Sequence, residues 1–216
     1  MIKNPFFQIL GIKNFQKLWG SQVLSQITLN LINFVIILRI FETTHSTVAV
    51  SLVWIFYAIP AILLGPFSGT IIDLVEKRKA LIWTNFSQAV IVLGYLLIQE
   101  KIWPIYTIVF LYSLVNQLYI PAEAATLPEI VPRKLYPSAN GIFMFTMYGT
   151  FLVGFSLAGP LIRLVGKEMP FFFSSLLLGL AAISVALLSS GMRGEKEKVR
   201  GIQDFWDRVK EGYLFI

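Results

Sequence analysis

Eight carboxamide side chains interrupt stretches that are otherwise almost wholly apolar. Gln22, Gln26, Asn30 and Asn33 follow one another four, four and three residues apart, a spacing that places all four on one face of a helix. Asn85 and Gln88 lie in a later apolar stretch, and Asn116 with Gln117 in the next. A carboxamide offers donors and an acceptor without a charge, so a group of them recognises a neutral or amphipathic molecule through hydrogen bonds. Interhelical hydrogen bonding is the alternative use, at about 0.6 kcal/mol per contact. The expectation is a substrate path: several helices converging on a hydrogen-bonding cavity.

Other chemistries find little support. There are no paired carboxylates and no Ser/His/Asp set, so catalysis is not expected. No Gly-rich phosphate loop followed by Lys and Ser/Thr occurs, which argues against ATP hydrolysis. The chain has no cysteine and a single histidine, His45, in a connection, so neither a metal site nor a cofactor is expected. Asp73 and Glu123 fall toward one set of ends of the apolar runs, Arg39 and Arg163 toward the other. All four are read as snorkelling charges.

The elements that must hold the amides are six apolar stretches, at about residues 15–41, 46–72, 80–99, 104–130, 138–165 and 170–190. The run from Leu18 to Ile40 rises about 34 Å as a helix, enough to cross a hydrocarbon core of about 30 Å. With 56% hydrophobic and 14% charged residues, and a mean hydropathy of +0.71, the chain reads as one multi-pass membrane domain over residues 1–190, its partner solvent the lipid bilayer. Residues 1–17 show no signal-peptide pattern, so the first span is expected to insert itself. Pro104 and Pro170 mark helix starts, Ser46 and Ser138 are candidate N-caps, and Trp19, Trp83, Trp103 and Tyr106 are candidate interfacial aromatics.

Of the eighteen Lys and Arg, all but Arg39, Lys101, Arg163 and Lys167 fall on one side of these spans, which puts both termini in the cytoplasm of a cell inner membrane. The net charge of +6 is thereby a topology signal, and no nucleic-acid partner is expected. In residues 191–216, Ile202, Phe205, Trp206, Val209 and Tyr213 recur at helical spacing among charged residues, which predicts an amphipathic cytoplasmic tail.

The connection after the second span carries a more specific signal. Gly65 and Pro66 lead to Gly69, then Asp73 four residues on, then Lys77, Arg78 and Lys79, and this resembles the signature loop of the major facilitator superfamily. Leu74 and Glu76 depart from it, standing where the family commonly has Arg and Gly. The resemblance implies a gate loop of Gly65, Gly69, Asp73, Lys77 and Arg78, latching against a neighbouring bundle. Asn14-Phe15-Gln16-Lys17-Leu18-Trp19, and the stretch from Pro121 through Pro128 and Pro132 to Asn140, resemble the family's efflux branch, which includes enterobactin-exporter-like and macrolide-efflux-like proteins. Gly149, Gly154, Gly159 and Pro160 are similar to the helix-packing motif associated with antiporters, with Phe155 in place of a common Pro.

The family resemblance implies an all-α fold, a six-helix bundle built as a 3+3 inverted repeat. Glycine and proline in both the second span (Pro60, Gly65, Gly69) and the fifth fit that repeat. It matches the amino-terminal half of the family fold. The function it implies is a secondary active transporter, an exporter of a small amphipathic substrate such as a siderophore or drug, working by alternating access. The partner expected is a second six-helix half: a missing C-terminal half entered through a seventh span after the tail, a split partner, or a homodimer. The alternative is a non-transporting interaction or scaffold protein, or a remnant subunit of a split carrier. A channel ranks below both, for want of a selectivity-filter sequence or ring of charge.

Overall fold

The computed structural model describes residues 5–97 and 101–189. The predicted amphipathic tail lies outside the described residues. A short helix α1 (Pro5–Leu10) precedes α2 (Lys13–Thr44), α3 (Thr47–Asp73), α4 (Lys77–Leu93), α5 (Ile102–Ile130), α6 (Tyr136–Val165) and α7 (Met169–Ala186). Helices α2 to α7 are the six predicted spans, each long and apolar enough to cross a membrane, the third completed by a 3₁₀ turn over Gly94–Leu97. No strand occurs among the described residues.

The ends of the helices follow local chemistry. Ser46 caps α3, its hydroxyl accepting from the Ala49 N–H. Helix α2 stops at His45, which turns left-handed at φ 50° and donates its N–H to the Phe41 carbonyl, a conformation few non-glycine residues adopt. Two expectations need correction. Ser138 is not a cap, because the 3₁₀ turn Arg133–Leu135 runs straight into α6 and Pro137 in the first turn supplies helical φ from Tyr136 onward. Tyr106 is no interfacial anchor either: it is buried, stacked on Phe56, and donates to the Ala49 carbonyl on α3, while Trp83 and Trp103 are exposed as expected.

Packing follows an internal symmetry. The main pairings are α3 with α5, α2 with α6, α4 with α5, α2 with α7, and α4 with α7. Exchanging α2, α3 and α4 for α5, α6 and α7 turns the first pairing into the second, the third into the fourth, and the last into itself. This is the pairing that two inverted three-helix repeats produce. Helices α3 and α6, counterparts in the scheme, stand on the outside of the set and carry all five glycines singled out from sequence.

The apolar core divides by depth. One cluster, around Ile36, Ile40, Val53, Tyr95, Val109 and Phe171, fills one end of the bundle. Another, around Phe15, Leu18, Ile72, Leu81, Tyr119 and Leu127, fills the end where α2 begins and α7 finishes. That second end carries Lys13, Lys17, Lys77, Arg78, Lys79, Arg133 and Lys134 and is called the basic end below. Between the two lie Ser21, Gln22, Ser25, Asn85, Gln88, Asn116 and Gln117, near the midpoints of α2, α4 and α5. They form a polar belt at mid-depth.

Candidate functional site

The belt is built from three helices whose sequences each break their apolar run at mid-length. Asn85, fully buried on α4, accepts from the Ser25 hydroxyl at 2.8 Å and donates to Ser21 at 3.3 Å and to the Leu81 carbonyl at 3.0 Å. Gln88 donates to Asn116 at 3.1 Å, and Asn116 donates to the Tyr57 hydroxyl on α3, again at 3.1 Å. Ser113 donates to the Tyr57 carbonyl at 2.6 Å, and Gln117 turns back onto Ser113 of its own helix. These four amides, Asn85, Gln88, Asn116 and Gln117, are joined to protein partners, and through the first three α2 is tied to α4, α4 to α5 and α5 to α3.

The stripe on α2 behaves differently. Asn30 donates to the Gln26 carbonyl at 2.9 Å, a bond within its own helix. Gln22 is buried, yet its Oε1 has no hydrogen-bond partner among the described residues. Gln26 and Asn33 are half-buried, and neither side chain makes a hydrogen bond among the described residues. A buried acceptor left unpaired costs about 1–3 kcal/mol, so such groups mark places where a ligand, water or another chain supplies the partner. The eight predicted residues thus separate: α4 and α5 hold amides that are satisfied, and α2 holds the ones that are not.

Helix α6 backs this stripe. Trp19 donates to Thr146 at 2.7 Å near the basic end, and further along a Cβ added at Gly154 would meet the Asn30 Cβ at 2.6 Å and the Leu31 nitrogen at 3.2 Å. Only glycine permits that approach. Gly65, Gly69, Gly149 and Gly159 are the reverse: a Cβ at any of them would meet nothing within 4 Å. Of the glycine and proline residues predicted for helix packing, Gly154 therefore packs within this bundle, while Gly149 and Gly159, beside Pro160, face away from it.

The predicted gate loop sits at the basic end. Lys77 is paired with Glu129 of α5 at 2.6 Å, and Arg78 donates to the Ala186 carbonyl at the close of α7. Lys17 donates to the carbonyl of Leu187, the residue that caps α7, so two cations sit against the negative end of that helix. Asp73 is exposed and makes no hydrogen bond or ion pair among the described residues. Glu76 pairs with Lys79 at 2.8 Å. The loop borders an apolar groove of about 480 Å³ lined by Ile71, Leu74, Val75, Trp83 and Leu118. At the other end, Lys167 with Glu42 at 2.5 Å and Arg39 with Glu168 at 3.6 Å join α2 to the α6–α7 connection.

Sequence reasoning missed the hydroxyls. Ser21, Ser25, Ser113 and Tyr57 complete the hydrogen bonds of the belt, and none stands out in a hydrophobic run because serine and tyrosine are ordinary residues of apolar helices. Glu123 also departs from expectation: it does not snorkel but accepts from the Tyr119 hydroxyl one turn before it, at 2.8 Å. No group of His, Cys, Asp and Glu able to hold a metal occurs among the described residues.

The Major Facilitator Superfamily profile matches residues 18–215. The chain belongs to this family. Its relatives include two uncharacterized MFS-type transporters of Bacillus subtilis (strain 168). YfiS is 25% identical over all of this chain and 51% of its own length, and YjbB is 27% identical over 84% of this chain and 46% of its own. Macrolide efflux protein A of Streptococcus pyogenes is 21% identical over 84% of this chain and 46% of itself. The chain spans about half the length of the curated relatives it matches. It is a multi-pass membrane protein of a transporter family, not an enzyme, with six helices arranged as half of a major facilitator fold.

Proposed function

We propose that this bundle is the amino-terminal half of a secondary active exporter, and that Gln22, Gln26 and Asn33 line its substrate path. The observation that carries the reading is the asymmetry of the polar belt: every amide of α4 and α5 has a partner, and the α2 stripe presents unpaired groups at membrane depth. In lipid that arrangement is costly, and it is relieved where a hydrogen-bonding substrate or water occupies the adjoining space. The substrate class proposed is a neutral or amphipathic small molecule, and the likeness to macrolide efflux protein A makes a macrolide the first compound to try.

Alternating access requires a second bundle to rock against. The open glycine faces of α3 and α6 and the apolar groove beside Asp73 are the surfaces proposed to meet it, with Asp73 as the gate residue still free to bind across the interface. The crowding of Lys and Arg at the basic end supports a cytoplasmic position for both termini, in an inner or plasma membrane.

The test is uptake of radiolabelled erythromycin into inverted membrane vesicles from cells producing the protein. The reading expects energised uptake that falls at least tenfold in Gln26→Ala/Asn33→Ala, with the amount of inserted protein unchanged. Uptake equal in the wild type, the double variant and vesicles lacking the protein contradicts it for this substrate class. Asp73→Asn separates gate from scaffold: transport should fall while abundance and insertion hold.

A further inference from the structure

The short helix α1 is too brief to cross a membrane and is held instead against the basic end of the bundle. Its six residues rise about 9 Å, and Gly11 and Ile12 then lead the chain into α2. Two contacts fix it there. The Ile9 side chain is fully buried and joins Leu135 and Ala139 in the apolar cluster of that end, while the Gln16 amide donates to the Leu10 carbonyl at 2.5 Å and satisfies the close of the helix. Phe6 lies against α6, its ring edge 3.8 Å from where a Cβ on Gly141 would stand. Phe7, the next residue, is 72% exposed.

The charges beside this helix are of one sign. Helix α1 packs on both α2 and α6, which brings to one rim Lys13, the first residue of α2, and Arg133 and Lys134, in the turn that runs into α6. All three cations are exposed, and none has a hydrogen bond or ion pair among the described residues. The neighbouring cations of this end are already engaged: Lys17 with the Leu187 carbonyl, Arg78 with the Ala186 carbonyl, Lys77 with Glu129 and Lys79 with Glu76. Nor do the segments that carry the three supply a carboxylate, because no Asp or Glu occurs in residues 1–41 or 130–167.

An exposed aromatic ring among uncompensated cations, where membrane-spanning helices begin, matches the chemistry of a bilayer's headgroup layer. The ring fits between the glycerol and the first acyl carbons, and the cations fit the phosphates. Lipid is the anionic partner already present at that height.

We propose that α1 is an interfacial anchor: Phe7 enters the headgroup layer of the leaflet at the basic end, and Lys13, Arg133 and Lys134 gather anionic phospholipid around it. Each cation close to an anionic surface raises the affinity about fivefold, so the three together select phosphatidylglycerol over zwitterionic phosphatidylcholine. The anchor needs neither a substrate nor a second bundle.

The test uses the full chain in nanodiscs of phosphatidylcholine with or without phosphatidylglycerol. Their two leaflets are alike, so the direction of insertion does not enter. The chain has no cysteine, and Phe7→Cys therefore carries a single spin label. In discs containing phosphatidylglycerol the label should collide with dissolved oxygen in preference to a water-soluble nickel chelate. That preference should fall at least threefold in discs of phosphatidylcholine alone, and again when Lys13→Gln, Arg133→Gln and Lys134→Gln are added. Native mass spectrometry of the unlabelled chain, given equal amounts of both lipids, gives a second reading: retention of phosphatidylglycerol over phosphatidylcholine should drop at least fivefold in the triple variant and stay within twofold in Lys167→Gln at the opposite end. A lipid preference unchanged within twofold in the triple variant overturns the inference, as does a Phe7 label open to the nickel chelate in discs containing phosphatidylglycerol. A label shielded from both reagents overturns it too, because protein then covers the site.

Discussion

Two edges of the same helix, one residue apart, are treated in opposite ways. Along one edge of α2, Ser21 and Ser25 are closed against Asn85 of α4, and every polar group has a partner inside the bundle. Along the other, Gln22 and Gln26 keep unpaired groups at the same depth, and Asn33 another about 12 Å further along the helix. A lipid-embedded helix has the same hydrophobic driving force on both sides, so the difference is one of purpose: the first edge fastens the bundle, and the second is available to something outside it. Polarity within a membrane does not by itself mark a site. Unsatisfied polarity does.

Substitutions can break or sharpen this contrast. The largest effect is expected at Gly154→Val, where even a Cβ would stand 2.6 Å from Asn30; overpacking there should cost about 3 kcal/mol and separate α6 from α2, seen as loss of the monodisperse peak in detergent. On the fastening edge, Asn85→Ala strands the two serine hydroxyls and should lower stability by about 1 kcal/mol, read as a reduced thermal midpoint. On the open edge, Gln22→Leu removes a buried acceptor that has no partner. It should leave the thermal midpoint unchanged or raised, while erythromycin uptake falls about tenfold. A Gln22→Leu protein that is destabilised as much as Asn85→Ala would erase the distinction. The smallest effect is expected at Gly65→Ala and Gly159→Ala, where a methyl group meets nothing within 4 Å: stability should change by less than about 0.5 kcal/mol, and only transport, through the surface toward a second bundle, should respond.

Much of the architecture is legible in the sequence. Six apolar runs gave six helices with ends displaced by only a few residues, because hydrocarbon thickness sets helix length and Pro104, Pro170 and Ser46 punctuate the boundaries. The resemblance at Gly69, Asp73, Lys77 and Arg78 led to the family. The site was only half legible. Spacing put four amides of α2 on one face, but periodicity cannot say which neighbour a face meets. In sequence Asn85 and Gln88 are equivalent to Gln22 and Gln26; in the fold Ser21 and Ser25 satisfy Asn85, and Asn116 satisfies Gln88. Tyr106 looked interfacial because aromatic residues near helix ends usually are, and tertiary packing against Phe56 and Ala49 decided otherwise. Glu123 looked like a snorkelling charge because its depth was visible in sequence and its turn toward Tyr119 was not.

The central claim, that the Gln22–Gln26–Asn33 edge faces water or another chain and not lipid, is open to a direct measurement because the chain has no cysteine of its own. Gln26→Cys, Asn33→Cys and Asn85→Cys, each the sole thiol, would be treated in native membranes with a membrane-impermeant maleimide and separately with a lipid-soluble one. The account predicts that Gln26→Cys and Asn33→Cys react with the impermeant reagent, slow down when erythromycin is present, and that Asn85→Cys reacts with neither. Reaction of Gln26→Cys and Asn33→Cys with the lipid-soluble reagent alone would contradict it.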